Sequence, residues 1–78
     1  MKLVPIYEVE DFEKRISSTV PTYINPEHIL KISTEQSIHQ KISSNTYMNY
    51  THTTITTTTH HTLNTLEDID KIVHMLTN

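Results

Sequence analysis

The stretch from Thr51 to Thr62 reads THTTITTTTHHT: eight threonines, three histidines and one isoleucine, in a chain without a single glycine. Threonine branches at Cβ, which stiffens its side chain and suits the pleat of a strand better than the crowded surface of a helix. The run from Tyr47 to Thr59 is therefore predicted as one long strand. Alternation puts Tyr47, Asn49, Thr51, Thr53, Ile55, Thr57 and Thr59 on one face, and Met48, Tyr50, His52, Thr54, Thr56 and Thr58 on the other. Neither face is convincingly apolar, so hydrophobicity fixes the register weakly, and such a strand either lies on the surface of a sheet or meets a partner. A tight return near Thr58 to His61 would let His61, Thr62 and Leu63 pair back, without the glycine or Asn-Gly that such turns favour.

A chain of 78 residues is one domain, residues 1–78, of a size that buries only about 60% of its unfolded surface. Only 35% of its residues are hydrophobic and 6% aromatic, so the core is thin and oligomerisation is expected. Without cysteine, neither a disulfide nor a thiolate metal site can compensate. No window approaches the roughly 18–20 apolar residues of a spanning helix. The opening MKLVPIYEVEDF, with a proline and three acids, holds no apolar segment for export. A soluble, cytoplasmic protein with no membrane partner is the expectation.

Along the chain, Lys2 to Val9 reads as a first strand, with Pro5 assigning it to an edge or a bulge. Phe12 and Ile16, four residues apart within Glu10 to Ile16, suggest a loop with a short helix. Asn25-Pro26 initiates a turn between a short strand at Tyr23-Ile24 and a longer one at Ile29 to Ile32. Residues 34–46 are polar apart from Ile38 and Ile42, and are open to reading as a strand extension, a hairpin arm or a mobile loop. The end of the chain predicts a helix over Leu66 to Leu76, with Thr65 as its N-cap and Glu67 and Asp68 in the first turn. Leu66, Ile69, Ile72, Val73 and Leu76 form its apolar stripe. The fold class is α+β: a small antiparallel sheet of about 3–5 strands with the C-terminal helix packed across it.

The order of Tyr23-Ile24-Asn25-Pro26-Glu27-His28-Ile29-Leu30-Lys31-Ile32, then Thr53-Thr54-Ile55-Thr56, then Thr65-Leu66-Glu67-Asp68-Ile69-Asp70-Lys71-Ile72, resembles the FlbD-type flagellar proteins and small phage or bacterial proteins of similar layout. The resemblance covers residues 22–76 with a gap at 34–50, and its motifs are structural signals. The chain departs from that pattern in lacking the glycine usual in the last hairpin and in carrying a polar insertion around Ser37 to Thr46. The resemblance implies a small non-enzymatic module encoded by a phage or mobile element, and no functional residues carry over with it.

Chemistry is sparse. On a straight strand His60 and His61 point to opposite faces, and His52 and His60 share a face but stand roughly 26 Å apart, so neither pair chelates a metal. Serines and histidines are plentiful but no nucleophile is paired with a base, which points away from an enzyme. Glu8, Glu10, Asp11 and Glu13 read as a solvated acidic face. No cofactor is implied. The six Lys and Arg residues are scattered and the net charge is −3, which disfavours nucleic acid as a partner.

A strand rich in hydroxyls and rings suits a small polar ligand better. For a nucleotide, Arg15, Lys31 or Lys41 can meet phosphate, a base can stack on Tyr47 or Tyr50, and His52, Thr54 and Thr56 supply hydrogen bonds. The expectation is a binding or interaction module that self-associates and sequesters such a ligand or binds a host protein, as a phage-type inhibitor would. The alternative is a nucleic-acid-binding regulator that uses the threonine strand.

Overall fold

The computed structural model describes residues 2–77, with the side chains of residues 38–42 and 47 excepted. Its strands are β1 (Val4–Ile6), β2 (Val9–Asp11), β3 (Ile16–Ser17), β4 (Thr22–Ile24), β5 (Ile29–Ser43), β6 (Thr46–Thr57) and β7 (Thr62–Thr65), and its helix is α1 (Ile69–Thr77). All pairing is antiparallel, in three small sheets: β1 with β4, β2 with β3, and the order β5-β6-β7. The α+β layout with a C-terminal helix agrees with the reading of the sequence, although the strands divide among three sheets instead of forming a single one. A bridge between Glu8 and Thr65 ties the N-terminal segment to β7.

The core forms where apolar residues fall in register. Ile32, Ile55 and Leu63 stand side by side across β5, β6 and β7. Val4, Ile6 and Ile24 from the β1–β4 ladder and Ile72 from α1 complete the buried cluster, with Met75 and Leu76 packed at its margin. The face of β6 that carries Thr53 and Ile55 is thus a core face, in which threonine methyls do part of the work of aliphatic side chains. Thr53 and Thr65, paired across β6 and β7, are both buried.

The predicted first strand breaks at Tyr7 into β1 and β2. Glu10 to Ile16 forms a hairpin, not a helix: the Lys14 N–H donates to Asp11 Oδ1 at 3.0 Å, and Arg15 takes a left-handed φ of 54° to turn the chain into β3. Aspartate in this position stabilises a turn locally, and that local bond outweighs a single apolar pair at helical spacing. Residues 34–46 continue β5 and β6 as a two-stranded arm, with register shifts after Gln36 and Lys41. The molecule is accordingly elongated, 51 Å in its longest dimension, close to the roughly 50 Å that a 15-residue strand spans.

Asn25-Pro26 makes the expected turn, here one 3-10 turn over Pro26–His28 with Asn25 Oδ1 accepting from the Glu27 N–H at 3.0 Å. The expected return from β6 to β7 forms, and His60 and His61 lie in it, so the straight-strand spacing does not describe these two histidines. His60 adopts φ 65°, and Thr57 receives the chain: its N–H donates to the His61 carbonyl at 2.9 Å and its carbonyl accepts from the His60 N–H at 2.9 Å.

The helix begins three residues later than the sequence suggests. Asp68, not Thr65, is the cap: its Oδ1 accepts from the Asp70 N–H at 2.9 Å and its carbonyl accepts the first helical bond, from Ile72, at 3.0 Å. Val73 is 43% exposed and Met75 takes its place in the stripe. Lys71 and Glu67 form an i, i+4 ion pair at 2.9 Å, of the surface kind that contributes a few tenths of a kcal/mol.

Two outcomes follow for stability. Ile55→Ala, at the centre of the cross-strand row, lowers the unfolding free energy by about 2–5 kcal/mol, read by urea denaturation. His60→Gly removes a left-handed Cβ at an exposed position and raises it by about 0.5–1 kcal/mol.

Candidate functional site

β7 pairs with β6 only as far as Thr53, opposite Thr65, and the chain then turns away through Leu66. Beyond that point the edge of β6 is left open on its β7 side at Thr51. The β2–β3 hairpin fills part of the gap. Arg15, thrown forward by its left-handed backbone, donates from Nη2 to the Thr51 carbonyl at 3.3 Å and lays its guanidinium over the Tyr50 ring, 5.0 Å from the centroid. Phe12, on the same hairpin, meets the His52 ring edge-on with centroids 5.0 Å apart. Each contact of this kind is worth about 0.5–1.5 kcal/mol, and together they hold the hairpin against β6.

Between this hairpin and the start of α1 lies a cleft of about 220 Å³, lined by Arg15, Thr34, Thr51, His52 and Thr53 on one side and by Leu66 to Ile69 on the other. Its walls carry opposite charges, the Arg15 guanidinium facing the segment that holds Glu67 and Asp68. Arg15 Nη1 and His52 Nδ1 are buried without a hydrogen-bond partner among the described residues. Native interiors satisfy nearly all such groups, so two orphaned nitrogens on side chains of one cleft are the least settled chemistry in the molecule.

Two threonine hydroxyls fix the far wall. Thr53 Oγ1 donates to the Glu67 carbonyl at 2.7 Å, and Thr65 Oγ1 accepts from the Glu67 N–H at 3.2 Å. Both polar groups of one peptide residue are thereby held by a cross-strand pair. On the opposite face of β6, Asn64 Oδ1 accepts from Thr54 Oγ1 at 3.0 Å and lies 3.1 Å from His52 Nε2. The second contact makes Nε2 the donor, since the amide oxygen can only accept.

Of the residues proposed from sequence, Arg15, Tyr50 and His52 come together here. Thr54 lies on the same face but is buried and engaged with Asn64. Thr56 and its cross-strand partner Lys31 lie four positions along β6 from His52, about 13 Å away. The side chains of Tyr47, the other proposed stacking residue, and of Lys41, the third proposed phosphate contact, lie outside those described. Sequence reasoning missed Phe12, Thr34, Thr51 and Thr53, and the cleft wall at Leu66 to Ile69. Asp11 and Lys14, three apart in a polar stretch, were the one local signal that Phe12 and Arg15 sit on a hairpin.

Among the described residues no three His, Asp or Glu side chains gather as metal ligands. No helix among them is long and apolar enough to cross a membrane.

No protein-family model, curated protein or solved structure matches this chain.

Replacing Asn64 by leucine leaves both Thr54 Oγ1 and His52 Nε2 without their acceptor in a half-buried setting. The expected loss is about 1–3 kcal/mol, measured by thermal or urea unfolding, with the β6–β7 ladder kept.

Proposed function

We propose that this protein is a small, non-catalytic binding module that associates with itself and captures a polar ligand, with a nucleotide as the chemical type that fits best. The observation that carries the reading is Arg15: a guanidinium laid on an aromatic ring at the mouth of a hydroxyl-lined cleft, with a second nitrogen buried and unpaired. A guanidinium meets phosphate or carboxylate through paired N–H donors. Tyr50 and Phe12 offer ring surface to a planar base, and the exposed Thr34 and Thr51 offer neutral donors and acceptors.

At about 220 Å³ the cleft falls below the roughly 300–1,000 Å³ usual for whole ligands. It accommodates a phosphate or sugar fragment, with the rest of the ligand lying along Tyr50. Capture without turnover is the action of a sequestering inhibitor, and the small size agrees with that role; a host protein is the alternative thing bound.

A second reading has one observation in its favour. The β5–β6 arm is a two-stranded ribbon of the shape that can enter a nucleic-acid groove, although the net charge of −3 opposes it.

Native mass spectrometry and calorimetry with a panel of mono-, di- and cyclic nucleotides test the proposal. A nucleotide is expected to bind at micromolar affinity or better, and Arg15→Ala and Tyr50→Ala each to weaken it at least about tenfold, while circular dichroism stays unchanged. Binding that ignores both substitutions, or none across the panel, contradicts it. Salt-dependent retention of DNA or RNA in its place favours the ribbon reading.

A further inference from the structure

The outer edge of β5 has no strand partner among the described residues: β5 pairs with β6 alone. Its main chain carries no proline from Ile29 to Ser43. The register shifts against β6 fall on either side of Lys31 to Gln36, so those six residues form a regular stretch. Such an edge is a template for another strand unless it is blocked.

The direction of its backbone groups can be worked out. Thr57 donates to the His61 carbonyl and the Thr51 carbonyl accepts from Arg15, so odd-numbered residues of β6 direct their main chain away from β5. Their partners Ile32, Thr34 and Gln36 are then in non-hydrogen-bonded pairs with β6, and their own N–H and C=O groups point to the open edge.

We propose that this edge pairs with the same edge of a second copy of the chain, antiparallel, with Ser33 on the two-fold axis. The proposal deepens the self-association in the reading above and rests on it. Side-chain direction must match across the axis, so the axis passes through a residue and not between two. With Ser33 there, Ile32 of one copy exchanges both main-chain bonds with Thr34 of the other. Lys31 then stands opposite Glu35, twice in each dimer.

Moving the axis to Lys31 or to Glu35 sets like charges face to face, and moving it to Ile32 or Thr34 leaves both charges opposite uncharged residues. Charge complementarity therefore selects one register. Lys31 and Glu35 are both exposed. Neither joins an ion pair with another described residue, and Glu35 Oε1 accepts only the Ser33 hydroxyl, at 3.4 Å. The isologous contact follows the usual symmetry of homodimers.

Sedimentation velocity of the full chain between about 1 and 100 µM tests the assignment. A dimer is expected, with Lys31→Glu and Glu35→Lys each raising its dissociation constant about tenfold by opposing like charges, and with the double exchange K31E/E35K restoring it. A dimer indifferent to the single substitutions, or not restored by the double one, overturns this edge while leaving self-association standing. A monomer throughout overturns both.

Discussion

Everything that gives this small protein a site depends on how two threonine hydroxyls hold the peptide of Glu67. Thr53 and Thr65 face one another across β6 and β7, are almost wholly buried, and between them bind both the carbonyl and the N–H of that residue. A buried hydroxyl without a partner costs about 1–3 kcal/mol. Here each satisfies itself and at the same time fixes the path by which the chain leaves the sheet. Asp68 can then cap α1, Ile72 reaches the row formed by Ile32, Ile55 and Leu63, and a core of six buried hydrophobic residues closes.

The same exit path opens the cleft. Because the chain turns away after Thr65, β6 loses its neighbour at Thr51, and a bare carbonyl at a half-covered edge needs a donor. Arg15 supplies it from a hairpin distant in sequence and reaches Tyr50 on the way. The cleft is thus a by-product of the strand end that the threonines define. The threonine tract contributes structure on its core face, through Thr53 and Ile55. On its other face Thr54, with His52, contacts Asn64.

Local signals in the sequence made much of this visible. Asn25-Pro26 turned the chain because proline presets φ and the Asn25 side chain reaches the Glu27 N–H. The return at Thr58 to His61 formed despite lacking glycine, since His60 accepts a left-handed backbone at modest cost. What stayed hidden was decided by contacts far apart along the chain. Thr65 followed by Glu67 and Asp68 reads as a helix cap, but pairing with Thr53 keeps it in a strand and hands the capping role to Asp68. Phe12 and Ile16 have helical spacing, but Asp11 closes a turn there, and Phe12 finds His52. Arg15, Tyr50 and His52 could be named as binding groups by type, whereas their meeting required the fold, which left Lys31 and Thr56 elsewhere on the sheet.

Amide hydrogen exchange at Glu67, followed by NMR, tests the threonine clamp most directly. Glu67 lies in a bend between β7 and α1, outside both elements, where an amide held only by solvent exchanges freely. The clamp predicts protection comparable to that of Ile72 in the helix, lost selectively in Thr65→Val while the β5–β6 amides remain protected. A Glu67 amide that exchanges as fast as that of Thr59 in the exposed turn, in the unsubstituted protein, would contradict it.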